Sequence, residues 1–186
     1  VLIKPLTNLK TDKVDISYLK IGSQNKLTKT IGIAPFAAHK GKTYSIKLME
    51  EVIKTLAIDF HIFLFGGGEK EEIELDELSS KYPNVVNLAN KYSLDQQMDV
   101  ISNLEIMISM DSSNGHVAAL LGIKVLTIWG LTHPYAGFSS YGQIEENNIL
   151  VNRSLFPKIP TSIYGNKIPD GYDNAINTIT TEEIIN

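Results

Sequence analysis

Apolar residues in this chain fall into two spacings that alternate from Thr30 onward. Thr30-Ile31-Gly32-Ile33-Ala34-Pro35-Phe36 is a short, nearly continuous apolar run, the pattern of a strand buried on both faces. Ile46, Met49, Val52, Ile53 and Leu56 then recur at helical spacing behind Ser45, a residue type that caps helix N-termini. The alternation repeats. Residues 61–65 read as a strand, Gly66-Gly67-Gly68 as a turn and 69–81 as an acidic amphipathic helix. Residues 85–88 read as a strand, 94–102 as a helix and 104–110 as a strand. Residues 112–121 form a helical pattern closed by Gly122, and 124–130 the last clear strand.

Strands that alternate with helices imply βαβ units. The expected fold is therefore an α/β, Rossmann-like parallel sheet with helices on both faces, occupying residues 30–186. Residues 1–29 are mixed and polar, with short apolar pieces such as 14–19, and read as a linker or edge segment. Beyond Gly130 the pattern loosens. Residues 131–143 form a loop rich in Gly, Pro and aromatics, 148–152 suggest one more strand, and 153–172 are rich in Pro, Gly and Asn. Thr180-Thr181-Glu182-Glu183 is a capping box that opens a helix close to Asn186. With no initiator methionine at Val1, this late opening predicts a piece of a longer chain.

Composition narrows the classes. A length of 186 residues, 43% hydrophobic, suits one globular domain. Acidic residues number 21 against 17 basic, a net charge of -4, which gives no electrostatic footprint for nucleic acid. There are no cysteines, so disulfide scaffolds and thiolate metal sites are excluded. No apolar run approaches the roughly 20 residues of a transmembrane helix.

In open α/β sheets ligands bind beyond the carboxyl ends of the strands, and four loops expected there carry chemistry. In the first, Ala37 and Ala38 let a ligand approach the backbone, and Lys40 and Lys42 can neutralise phosphate ahead of a helix N-terminus. A solvated basic turn explains the same residues, and as a loop lysine Lys42 is expected to matter little for stability. The second loop ends in Glu69, which can accept hydrogen bonds from a ribose diol or merely complement its helix dipole. The third, Asp111-Ser112-Ser113, sets a carboxylate, two hydroxyls and free N–H groups at a helix start, with His116 one turn in. Ordinary N-capping by Asp111 or Ser112 is the competing account. The fourth, Trp129 to Phe138 with Thr132 and His133, suits a lid over a sugar or base, or an edge loop packed on the core. His61, inside a strand, reads as structural.

In this order the four loops resemble the C-terminal domain of glycosyltransferase family 9, the lipopolysaccharide heptosyltransferases. The likeness runs from about Thr30 to Gly142. It rests on Lys42-x-Tyr44, glycine-rich Glu69, Asp111-Ser112 with His116 before Ala118-Ala119-Leu120-Leu121-Gly122, and Trp129-Gly130 followed by Thr132-His133-Pro134. Two positions depart from the family pattern: Ser113 stands where glycine is common, and Tyr44 where tryptophan is.

The resemblance implies the donor-binding, C-terminal half of a GT-B enzyme, a glycosyltransferase acting in the cytoplasm and peripherally at the inner membrane. The donor would be ADP-heptose-like. The acceptor, lipid-linked or a lipopolysaccharide core, would be reached through an N-terminal domain that also supplies the general base. Carried over by position, Lys42 would contact donor phosphates and Glu69 the ribose. Asp111, Ser112, Ser113 and His116 would hold the phosphate and sugar region, and Ala37, Ala38, Leu94, Thr132 and His133 would complete the substrate-binding set. No catalytic residue, metal ligand or cofactor is expected within this chain, which alone should not turn over. The absence of an Asp-x-Asp pair fits metal-independent transfer. A noncatalytic ligand-binding α/β module and half of a sugar-nucleotide epimerase are the alternative readings.

Overall fold

A computed structural model describes residues 29–186, so the expected 1–29 segment, Lys29 apart, lies outside the described residues. Six strands, β1 (Thr30–Ala34), β2 (His61–Leu64), β3 (Val85–Asn87), β4 (Ile106–Met110), β5 (Lys124–Trp129) and β6 (Asn148–Leu150), form one sheet. Every pairing is parallel, and the order is β3-β2-β1-β4-β5-β6. The helices are α1 (Ile46–Leu56), α2 (Glu69–Ser80), α3 (Leu94–Ile101), α4 (Ser113–Leu120) and α5 (Thr181–Ile185).

Period-two alternation sends neighbouring strand residues to opposite faces, and the core divides accordingly. Ile31, Ile33, Ile62, Leu64, Ile108 and Met110 join Met49, Val52 and Ile53 of α1, Leu75 and Leu78 of α2 and Ile184 of α5. Phe63, Met107 and Val125 join Val100 and Ile101 of α3 and Ala118 and Ala119 of α4. Both faces of the sheet are covered, which is why all five residues of β1 are buried.

Local signals and packing divide the work of placing the helices. Ser45 occupies the N-cap of α1 as expected, yet its hydroxyl caps nothing. A missing cap costs about 1 kcal/mol. Met49, Val52, Ile53 and Leu56 are all buried, at about 1.5–3 kcal/mol each, so the apolar stripe outweighs the cap. α4 closes as predicted: Gly122 has φ +83°, its N–H bonds to the Ala119 carbonyl, and the Ile123 N–H bonds to that of Ala118. Thr180 and Glu183 form the expected capping box of α5. An unexpected box, Ser93 with Gln96, caps α3.

Strand bounds differ from expectation by one or two residues: β1, β2, β3 and β5 end at Ala34, Leu64, Asn87 and Trp129 where the patterns run to 36, 65, 88 and 130. The Leu104 N–H bonds to the Ile101 carbonyl in a turn, so the β4 ladder starts later than residue 104. β6 stops at Leu150, short of the expected 152. The strand order reverses direction between β1 and β4. That switch point opens a crevice at their carboxyl ends, where the loops of interest emerge.

Candidate functional site

The loop after β1 is fastened at its far end. Tyr44 is buried, its hydroxyl donates to the Ile179 carbonyl at 2.8 Å, and its N–H points to Met110 Sδ at 3.4 Å. A short 3-10 turn over Lys40–Lys42, closed by Lys42 N–H to the His39 carbonyl at 2.9 Å, then carries the Lys42 side chain inward. Lys42 Nζ lies 2.8 Å from Asp111 Oδ2, with the side chains only 13% and 4% exposed. Thr132 Oγ1 donates to the same Oδ2 at 3.1 Å. Loops after β1, β4 and β5 thus meet on one carboxylate.

This corrects the expectation for Lys42. It is no solvated turn lysine with little bearing on stability but one half of a nearly buried ion pair. Breaking such a pair costs about 3–5 kcal/mol, because the partner is left charged and dry. Close backbone packing holds the loops after β1 and β5 together. The Leu131 N–H bonds to the Gly41 carbonyl at 2.8 Å, and a Cβ on Gly130 would run into that carbonyl. Gly165 has φ +66°, and a Cβ there would come within 2.8 Å of both Lys42 Cγ and Thr132 Cγ2.

The capping alternative for the third loop fails. Asp111 is committed to Lys42 and Thr132. Ser112 takes the N-cap position of α4 without a side-chain cap bond; its hydroxyl lies 3.1 Å from Ser109 Oγ. Since the Ser109 hydrogen goes to the Met110 carbonyl at 2.7 Å, Ser112 is the donor of that pair. The first-turn N–H groups of α4 therefore have no side-chain acceptor among the described residues and put a partial positive charge beside Lys42. Ser113 is exposed at the first helical position, and His116 is half-buried one turn in.

The glycine-rich loop after β2 behaves differently. The Gly67 N–H donates to Glu71 Oε2 at 2.8 Å and the Gly68 N–H to Asn90 Oδ1 at 3.3 Å. Asn90, at φ +54°, in turn donates to Glu72 Oε2 at 3.0 Å. Side chains have filled this turn, so it is not an open phosphate cradle. Glu71 and Asn90 escaped the sequence reading, although an Asn after an apolar strand is a recognised left-handed turn signal. Glu69, at the head of α2, stays exposed.

Other expected residues separate by position. Ala37 is half-buried and Ala38 exposed in the Lys42 loop, whereas Leu94 is exposed at the head of α3, after the edge strand. No side-chain bond among the described residues links Glu69 or Leu94 to the Lys42 cluster. His133 is 4% exposed, and its Nδ1 accepts the Tyr135 N–H at 3.2 Å, so Nδ1 carries no proton. Burial, then the Arg153 charge, hold its pKa below the usual histidine value against the opposing pull of Glu145. The imidazole is thereby kept neutral. Trp129 is no lid residue: it is buried, with Nε1 donating to Asn148 Oδ1 at 2.7 Å. His61 stays in β2, as its strand position implied. A hollow of about 550 Å³ lies at the amino end of β5, lined by Gly122, Ile123, Lys124 and Tyr141, away from all these groups.

An all-parallel sheet of order 3-2-1-4-5-6 with polar groups gathered at its switch point defines a Rossmann-like α/β protein. The family model described as glycosyltransferase family 9 (heptosyltransferase) matches residues 7–155, and the chain belongs to that family. Among solved structures it is similar to the ADP-heptose lipopolysaccharide heptosyltransferase II of E. coli, at 19% identity and a TM-score of 0.64 over 91% of this chain and 47% of that one. E. coli heptosyltransferase WaaC with ADP-2-deoxy-2-fluoro heptose matches at 19% identity and 0.60, over 84% and 41%. The iron-containing dodecameric glycosyltransferase TibC of enterotoxigenic E. coli matches at 13% and 0.54, over 92% and 46%. The chain thus spans about half the length of these proteins. No curated protein matches it.

Proposed function

We propose that this chain holds the nucleotide-sugar donor of a glycosyltransferase that passes a sugar, heptose foremost, to a lipopolysaccharide core or related glycan. The observation that carries this reading is Lys42, a cation held in a nearly dry crevice at the switch point, 2.8 Å from Asp111 and beside the uncapped N-terminus of α4. Transfer leaves negative charge on the departing pyrophosphate. A preorganised cation and a helix N-terminus stabilise such charge without reorganising at the moment of reaction. Glu69, exposed one strand over, has the chemistry to accept from the donor ribose. Solved structures of E. coli heptosyltransferase WaaC hold ADP and ADP-2-deoxy-2-fluoro heptose, which supports a donor of that class.

Transfer also needs a base for the acceptor hydroxyl. Asp111 is engaged by Lys42 and Thr132, so we assign that base to another domain and expect this chain alone to bind without turnover. Leaving-group stabilisation by Lys42 makes the reaction metal-independent, even though one similar protein contains iron. Among the described residues no three His, Asp or Glu side chains are grouped to hold a metal. We place the enzyme in the cytoplasm, peripheral at the inner membrane; no described helix is long and apolar enough to cross a bilayer.

Titration calorimetry with ADP, GDP and UDP tests the reading. One of them should bind, and Lys42→Ala should weaken that binding by about 1.5–3 kcal/mol, the range for a hydrogen bond to a charged group. Silence from all of them at millimolar concentration sinks the donor site. Loss of full-length activity in a chelator refutes the metal-free mechanism.

A further inference from the structure

Residues 161–167 form a strap closed on itself. Thr161 Oγ1 donates to the Lys167 carbonyl at 2.6 Å, Ser162 Oγ donates to Asn166 Oδ1 at 2.9 Å, and the Thr161 N–H fixes the strap to the Leu131 carbonyl at 3.0 Å. Through Gly165 it presses on the Lys42 stem and on Thr132. The residues just before Gly165 are apolar and face outward: Ile163 is 62% exposed and Tyr164 61%. Phe138, from the loop after β5, meets Tyr164 with ring centroids 6.1 Å apart at a 50° tilt. The Tyr164 hydroxyl makes no hydrogen bond among the described residues. Tyr164 lies open to water beside the ion pair of the site, and Phe138, half-buried, belongs to neither core cluster.

The chemistry along the sheet edge is ordered. Glu69 follows β2, Lys42 follows β1, Asp111 and the α4 N-terminus follow β4, and Thr132 with the strap lies beyond β5. Neighbouring strands are about 4.8 Å apart, so this row covers about 14 Å. A ligand with its ribose at Glu69 and its phosphates at Lys42 carries its next group toward the strap. Resting on the donor-site reading above, we infer that Tyr164 and Phe138 form a platform for the uncharged sugar ring of the donor. The C–H face of a pyranose lies on an aromatic ring as an apolar surface, and the uncharged patch of Phe138, Ile163 and Tyr164 matches that face.

Calorimetry on the whole chain with paired ligands tests the platform: ADP against ADP-glucose, GDP against GDP-glucose and UDP against UDP-glucose. For the base that binds, Tyr164→Ala should weaken the nucleotide sugar by about three- to tenfold and leave the nucleoside diphosphate unchanged. Tyr164→Phe should keep the wild-type value for both, because the ring and not the hydroxyl makes the contact. An equal loss for both ligands, or no loss for the nucleotide sugar, overturns the platform while the donor site stands. If the wild-type chain binds none of the six compounds, the donor site itself falls and the platform with it.

Discussion

The two sides of the switch point solve opposite problems. On the β2 side the rim is open to solvent: the Gly67 and Gly68 N–H groups are taken by Glu71 and Asn90, and Glu69 stands exposed. On the β4–β5 side the groups are sunk and already bonded, with Thr132 and, reaching across from the β1 loop, Lys42 both on one Asp111 carboxylate oxygen. The open side supplies a group whose gain comes only on binding. The sunk side has met the desolvation of its charge during folding. A phosphate bound there, as proposed, would meet a cation already stripped of water and aimed, so less ordering would remain to be done. Stability and affinity should therefore be coupled on one side and independent on the other.

The harshest way to break the contrast is Asp111→Ala, which strands Lys42 as a buried cation. A loss of about 3–5 kcal/mol is expected in urea unfolding, a large share of a domain's usual 5–15. The double replacement Lys42→Met with Asp111→Leu should recover most of that stability while still weakening nucleotide binding by about 1.5–3 kcal/mol. If Asp111→Ala costs under about 1 kcal/mol, the pair is equivalent to a surface bridge and the sunk side is not locked.

Tyr44→Phe probes the fastening of the Lys42 loop. It leaves the Ile179 carbonyl without its donor, at about 1–3 kcal/mol near neutral pH. Burial, and then the nearby Glu183 and Glu182 charges, push the Tyr44 phenol up to about 12 from its ordinary 10.0. Between these values the unfolded chain gives up the proton and the folded chain keeps it. The stabilisation present below pH 10 is therefore lost as pH rises toward 12. The gap between wild type and Tyr44→Phe should narrow across that window in denaturation series. A constant gap would mean that the phenol ionises freely in the fold.

The smallest effect on stability belongs to the open side. Glu69→Ala should change stability by no more than about 0.5 kcal/mol, as for other exposed positions. Its nucleotide affinity should still fall roughly tenfold if the carboxylate holds a ribose hydroxyl. A large stability loss would erase the distinction between the two sides.

What was legible in the chain follows the same division. The apolar runs 30–36 and 124–130 and the stripe Met49, Val52, Ile53, Leu56 depend on local periodicity; the strands Thr30–Ala34 and Lys124–Trp129 lie within those runs, and the stripe is buried as its spacing implies. Gly122 and the Thr180–Glu183 box are equally local signals. Which loops share the carboxyl edge of the sheet was readable, because strand ends dictate it. Their internal wiring was not. The Lys42–Asp111–Thr132 contact joins three loops far apart in the chain, so no spacing rule reports it. Asp111 and Ser112 looked like caps because their residue types cap helices elsewhere; tertiary partners took both. Trp129 passed for a lid aromatic because its indole N–H partner, Asn148, lies on the next strand of the sheet.

Tyr44 and Ser45 depend on partners made much later, the Ile179 carbonyl and the Asn177 side chain, 135 and 132 positions further along. Ribosomes add about 5–20 residues per second, so roughly 7 to 27 seconds separate the synthesis of Tyr44 from that of Ile179. During that interval β1, β2 and β4 can emerge and pair, but the loop carrying Lys42 lacks its outer fastening. Residues 177–179 act as the closing stitch, and a chain halted before them would own a sheet without a finished crevice. A nucleotide that used this crevice could stabilise the chain only once residues 177–179 have been made.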